Sequence, residues 1–406
     1  SLKSRSDYDA LMVEQKKVIN NALRDFRLSG IDLPEDKQLE FAELAQQLSD
    51  LTSAFNNNVL DATQAWSRSF FSACDLPGVP ESLLATMQEA AKVKGFDGYL
   101  LTLDMPCYLA VLTYCDDSDI RKDIYTAYGT RASDRGPNAG EFDNSKIMTD
   151  ILDARLRQAN LLGFESFSEL SVQRKMARSG QDVLDFLIGL GRQARPAAMT
   201  ELAEIEAFAS TIGAVLPLQP WDIAFYAEKL KKVSFDISDE ELRPYFPADN
   251  VLLGMFEVAR RLFDIDVKRV EGVATWHKEV STYEIRRKHQ RIALFYVDLY
   301  ARENKRAGAW MAECRVRRRD RHGDLHIPVA YLTCNFNRPV GDKPALLTHR
   351  EIVTMFHEFG HGLHHMLTQV EAGEVSGING VAWDAVELPS QFMENFCWQA
   401  GALSFF

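Results

Sequence analysis

Through residues 1–70 the apolar positions fall at helical spacing between charged faces, most clearly over 36–48, where leucines and an aromatic recur three and four apart. A Pro- and Gly-bearing turn follows at 75–80. The pattern then predicts a helix over 81–95, a short β-like run at 99–104 and further helices to about 132. Residues 132–140 read as loop, and 144–210 as three or more helices with breaks near Gly163 and Gly180. Leu216-Pro-Leu-Gln-Pro-Trp221 interrupts the periodicity and marks the expected boundary between a helical lobe, 1–215, and a second lobe, 216–406. Helices are expected again near 222–232 and 250–263. From 265 the period changes to two, with β-rich runs at 270–273, 280–285, 292–299 and 327–336. The fold class expected is mainly α, with a small antiparallel β-sheet just before the helix described next.

Thr348-His349-Arg350-Glu351 reads as a capping box, with Thr348 as N-cap and Glu351 three residues on. Apolar residues follow at Ile352, Phe356, Phe359, Leu363 and Met366, one stripe of a helix. His357 and His361 fall on a neighbouring stripe. Residues four apart stand one above the other, so two imidazoles so placed can reach one metal ion. His357-Glu358-Phe359-Gly360-His361 is therefore a zinc-protease signature, HExxH. In it the glutamate, Glu358, points toward the water held by the metal and acts as the base. Gly360 and Gly362 each cost up to about 1 kcal/mol in a helix relative to Ala. Two of them together predict that another segment crosses close by.

A catalytic zinc takes a third protein ligand and leaves one position for water. Downstream of His361 the acids are Glu371, Glu374, Asp384, Glu387 and Glu394. Glu371 and Glu374 lie in a Gly-bearing stretch that reads as solvated loop. Asp384, Glu387 and Glu394 lie among aromatics, which predicts burial, and a buried acid needs a partner. Glu387, Gln391 and Glu394 share one helical face. Asp384, Gln391 and Glu394 are candidates to fix the imidazoles, while His364 and His365 read as structural.

Length and charge narrow the picture. A chain of 406 residues with 46% hydrophobic content is ample for a core and large for a single one. A formal charge of −12 argues against nucleic acid and anionic membranes as partners. No apolar run is long enough to span a bilayer. Six scattered cysteines without a CxxC pair fit reduced thiols, hence the cytoplasm. An organellar matrix stays open, since the sequence starts at Ser1 inside a helical pattern.

The zinc helix together with Asp384-Ala-Val-Glu-Leu-Pro-Ser-Gln391 resembles the thimet oligopeptidase family, the M3 metallopeptidases. Supporting stretches include Asn58-Val-Leu-Asp-Ala-Thr63, Leu101-Thr-Leu-Asp-Met-Pro106, Leu242-Arg-Pro-Tyr-Phe-Pro247 and Phe295-Tyr-Val-Asp-Leu-Tyr-Ala-Arg302. The resemblance implies a two-lobed helical molecule with a deep channel that admits oligopeptides rather than folded proteins. It makes His357, His361 and Glu387 the ligands of one Zn2+ per chain and Glu358 the general base. It also places the strand near 330–336 beside the substrate backbone, as an edge to which the peptide adds. A peptidyl-dipeptidase of the same family is the alternative activity, and an inactive helical peptide-binding scaffold the alternative class. The family carries a Gly/Tyr/His-rich segment downstream of the position where this sequence stops. The sequence is therefore read as a fragment, truncated at both ends. A second polypeptide is expected to pack on apolar surface at Phe396, Trp398, Leu403, Phe405 and Phe406.

Overall fold

The computed structural model describes residues 2–341 and 343–406. Its helices run in the order α1 (Val13–Leu28), α2 (Glu35–Ala65), α3 (Glu81–Val93), α4 (Met105–Tyr114), α5 (Ser118–Gly129), α6 (Ser145–Leu161), α7 (Phe167–Val172), α8 (Gly180–Thr211), α9 (Pro220–Phe235), α10 (Asp239–Leu242), α11 (Ala248–Phe263), α12 (His349–Met366), α13 (Leu388–Glu394) and α14 (Ala400–Leu403). Strands β1 (Ser67–Phe70) and β2 (Tyr99–Thr102) pair within the first half. Strands β3 (Asp266–Arg269), β4 (Ser281–Arg287), β5 (Gln290–Tyr300), β6 (Trp310–Arg315), β7 (Arg318–Arg319), β8 (Leu325–His326) and β9 (Val329–Phe336) fall between α11 and α12.

The chain is mainly helical, as expected. Its principal sheet has the order β3-β4-β5-β9-β6. Three of its four pairings are antiparallel, and β5 with β9 is parallel. The first strand lies at 266–269, just before the expected 270–273. The expectation of a free edge at 330–336 is corrected by the topology. Strand β9 is paired on both sides, and the outer strand is β6. The long parallel connection from β5 to β9 leaves room for β6 to fold back along the outside.

Two buried clusters organise the molecule. One joins β1, β2, α3, α4 and α5 around Leu101, Val111 and Ile124. Helix α9, which follows the break at 216–221, packs back onto α4 and α5. Arg121 on α5 is buried and donates to Asp222 on α9 at 2.5 Å, and its guanidinium lies 4.1 Å from the Phe225 ring. The second cluster joins α11, the principal sheet, α12, α13 and α14. Alternation along β5 sends Phe295, Val297 and Leu299 inward, and Phe256, Phe295 and Phe359 meet with ring centroids 5.7–5.9 Å apart. Such burial contributes roughly 1.5–3 kcal/mol per large side chain. It holds α12 across one face of the sheet.

Phe405 and Phe406 depart from the sequence expectation of uncovered apolar surface. Both pack against this second cluster, and the Phe406 ring lies 5.8 Å from Phe356. A glycine, Gly254 on α11, makes room for it: a Cβ there would meet Phe406 Cβ at 2.8 Å. Trp398 does remain 70% exposed.

Candidate metal centre

The capping box at the start of α12 forms as predicted. The Glu351 backbone N–H donates to Thr348 Oγ1 at 3.2 Å, and the Thr348 N–H donates to Glu351 Oε2 at 2.7 Å. This start fixes the rotation of α12, whose apolar stripe Ile352, Phe356, Phe359, Leu363 and Met366 is buried. His357 and His361 then face away from the sheet core, toward α13. The two glycines have the predicted packing reason. A Cβ on Gly360 would lie 2.6 Å from Pro389 O and Ser390 Cα, and one on Gly362 would lie 3.2 Å from Leu332 on β9. Helix α12 is thus clasped between α13 and the sheet.

That clasp delivers Glu387, the residue just before α13. Pro389 occupies the first turn of α13, where its missing N–H is tolerated. Glu387 Oε2 lies 3.0 Å from His361 Nε2 and 3.1 Å from His357 Nε2. The three donor atoms all fall within 4.8 Å of one another. Zinc–nitrogen and zinc–oxygen bonds of about 2.0–2.1 Å in a tetrahedron require ligand atoms about 3.3 Å apart. Two imidazole nitrogens and a carboxylate oxygen at these separations fit such an ion. His357 Nδ1 is 2.6 Å from Glu394 Oε1, which leaves Nε2 as the free donor atom. Ser390 Oγ donates to Glu387 Oε2 at 2.9 Å. His361 Nδ1 is buried without a hydrogen-bond partner among the described residues.

Glu358 is 6% exposed. Burial raises its pKa to about 7, against the opposing influence of His357 and of a hydrogen bond from the Met311 backbone N–H on β6. The nearby Glu387 carboxylate acts in the same direction as burial and is a smaller part of that rise. Burial lowers the pKa of His361, which favours the neutral, donor form of its ring. A carboxyl that titrates near neutrality beside a cation-ready cluster can accept and release a proton in one cycle.

Other candidates sort themselves by partner. Glu371 receives Arg319 at 2.7 Å and Arg317 at 2.9 Å and is not part of the converging group. Glu374 is exposed. Asp384 accepts backbone N–H groups of Met176 and Ala177. His365 is fully buried and its Nε2 lies 3.0 Å from Arg315 O, a structural role as read. The expected burial of Glu387 is not found: its side chain is 52% exposed, and Trp383 and Phe392 are exposed too. The segment borders an open face of the site, so its aromatics do not sit in a core.

Sequence reading missed β6. Its Trp310-Met-Ala-Glu-Cys-Arg315 lacks alternation because neither face is buried: the first three residues are half-buried and the last three exposed. Glu313 on β6 accepts Asn379 Nδ2 at 2.7 Å, which ties this outer strand to the loop after α12. A cavity of about 420 Å³ lies on the other face of the sheet, lined by Trp276, Asp298, Arg302, Trp310 and Tyr331, and takes in none of the three converging side chains.

In sequence the chain is similar to known peptidases. The model of "Peptidase family M3" matches residues 111–406. Oligopeptidase A of Escherichia coli (strain K12) is 54% identical over 405 residues, covering 100% of this chain and 60% of that protein. The organellar oligopeptidase A, chloroplastic/mitochondrial, of Arabidopsis thaliana is 37% identical over 99% of this chain and 52% of its own length. Dipeptidyl carboxypeptidase of Escherichia coli (strain K12) is 33% identical over 91% of this chain and 54% of its own length. A solved structure of PZ peptidase A with an inhibitor overlays at a TM-score of 0.45 and 18% identity, over 96% of this chain and 57% of that one. The chain thus spans about 60% of the length of the oligopeptidases A that it matches. From the family match over residues 111–406, the chain belongs to peptidase family M3.

Proposed function

We propose that the protein is a zinc-dependent oligopeptidase that hydrolyses internal bonds of short peptides. His357, His361 and Glu387 would hold one zinc per chain, and Glu358 would be the general base. The observation that carries this reading is the convergence of His357 Nε2, His361 Nε2 and Glu387 Oε2 within 4.8 Å, on the helix that also carries the buried Glu358. Zinc, when bound, would polarise the scissile carbonyl and acidify the attacking water.

The chain's own residues supply the rest. Glu358 takes the water's proton at its carboxylate and hands it to the leaving amine nitrogen. Glu394 holds the His357 ring through Nδ1, and Ser390 holds the Glu387 carboxylate. Strand β6, the outer strand beside Glu358, offers a backbone edge to which an extended peptide adds. Preference for short peptides rests on the relatives named oligopeptidase. A cytoplasmic location rests on the six free cysteines, and a relative named organellar supports a matrix as the other compartment. No helix among the described residues is long and apolar enough to cross a membrane. We divide the chain into a helical lobe, 1–215, and a catalytic lobe, 216–406, which hold the two buried clusters in turn, with α9 of the second lobe packed back onto α4 and α5 of the first.

The test is a panel of internally quenched peptides given to the full-length protein with and without a chelator. Cleavage of peptides blocked at both ends, lost with the chelator and restored by zinc, is the expected result. Cleavage confined to free C-termini would favour a peptidyl-dipeptidase, the activity named for one relative. Zinc binding without turnover would favour an inactive scaffold. Cleavage indifferent to the chelator would contradict the reading.

A further inference from the structure

Asp384 stands three residues before Glu387, in the short turn Trp383–Ala385. Its carboxylate does not turn toward the imidazoles. Oδ1 accepts the Met176 N–H at 2.8 Å, and Oδ2 accepts the Met176 N–H at 3.0 Å and the Ala177 N–H at 2.9 Å. Hydrogen bonds from two successive backbone amides to an ionised acceptor are short and directional. They join chain positions more than 200 residues apart.

The segment that supplies these amides is itself anchored. It runs from the end of α7 at Gln173 to Ser179, whose side chain caps α8 by accepting the Asp182 N–H at 3.0 Å. Between them, Arg174 donates to Asp25 on α1 at 2.9 Å, and Lys175 donates to Ser171 at 2.7 Å. Asp384 is therefore tied to a fixed point formed by α1, α7 and α8.

The other side of Glu387 is fixed differently. Pro389 and Ser390 lie against Gly360, in the space a Cβ would occupy. Glu387 is thus bracketed, by α12 downstream and by the turn at 173–179, between α7 and α8, upstream. Only Ala385 and Val386 separate it from Asp384, a span of at most about 10 Å. Its own side chain is 52% exposed, so packing alone does not set its approach to the histidines. We propose that Asp384 is a positioning residue that seats the Glu387 carboxylate opposite His357 and His361, and that through it the α7–α8 connection, residues 173–179, bears on the metal site. This rests on the metal reading given above.

Zinc affinity is measured on the chain by competition with a chromophoric chelator, for wild type, Asp384→Ala, Asp384→Asn and Glu374→Ala. The visible spectrum of the Co2+ form and the melting temperature of the metal-free form are recorded alongside. Loss of a residue that orients a ligand typically costs about 10–100-fold in metal affinity. Asp384→Ala is expected to show that loss and a shifted Co2+ spectrum, with the metal-free melting temperature unchanged. Asp384→Asn, which keeps one acceptor oxygen, is expected to fall between it and wild type, and it decides the matter if the alanine variant folds poorly. Glu374→Ala, exposed in the same loop, is expected to match wild type. Wild-type affinity and spectrum in Asp384→Ala would overturn the proposal. So would an affinity loss matched by a fall in metal-free melting with an unchanged spectrum, which marks a purely structural role. Failure of wild type itself to bind zinc would overturn the metal reading and this one with it.

Discussion

His357 and His361 stand on a capped helix with eleven buried residues, clasped between α13 and the sheet. Glu387 stands at the end of a loop, half exposed, and reaches the same point through ties at either side. Half of the site is therefore set by local helix chemistry and core packing. The other half is set by contacts between segments far apart in sequence. A change on α12 should act on chemistry or on global stability. A change on the loop should act on metal affinity with little effect on stability.

The largest effect is expected from Glu358→Gln. It keeps the helix and the three converging side chains but removes the proposed base. Turnover in the full-length protein should fall by roughly 10²–10⁴-fold with zinc retained. Near-wild-type turnover in a peptide assay would remove Glu358 from the reaction.

Next comes the support beneath α12. Asp298, on the opposite face of the sheet, accepts Arg302 at 2.6 and 2.7 Å, Lys305 at 2.8 Å and Trp276 at 3.0 Å. Burial raises its pKa, but these donors outweigh burial and bring it to about 2. Asp298→Asn leaves two buried-side cations short of a partner and should cost about 3 kcal/mol in chemical denaturation. The folded pKa lies below the unfolded value of 3.8. The wild-type contribution is therefore present above about pH 4 and lost as the pH falls toward 2. The Asn variant should lack that acid-dependent loss.

The join between the two halves is tested by a pair of glycines. Gly360→Ala pushes a methyl into the backbone of Pro389 and Ser390, which cannot yield, and should cost about 1–3 kcal/mol and weaken zinc binding. Gly362→Ala meets only the flexible ends of Leu332 and Met366 at 3.2 and 3.3 Å. There the helix-propensity gain of about 1 kcal/mol offsets the crowding, so a near-neutral change is expected. Equal losses in melting temperature would contradict the close approach at Gly360.

The same contrast explains what the sequence revealed. Helix α12 was legible because its cap, its apolar stripe and its four-residue histidine spacing are all local. The glycines announced a crossing segment without saying which. Glu387, the proposed third ligand, was not separable from Glu394 by spacing alone, because the sequence pattern puts both on one helical face. What sorts them is the fold: Glu394 reaches His357 Nδ1, and Glu387 reaches the Nε2 atoms. Asp384 could not be told from an imidazole partner, since its partners are backbone amides at 176–177. Strand β6 was missed because an outer strand with neither face buried has little hydrophobic alternation to show. The packing of Phe405 and Phe406 was not legible because their cover comes from α11 and α12, far upstream in the chain.

The most direct measurement is the zinc content of wild type, Glu387→Ala and Glu371→Ala by atomic absorption after dialysis against zinc at a fixed low free concentration. One equivalent is expected for wild type and for Glu371→Ala, whose carboxylate serves Arg317 and Arg319. Glu387→Ala should fall far below one equivalent, because one of the three proposed protein ligands is gone. Equal occupancy in the two variants would remove Glu387 from the metal site and contradict the site as built here.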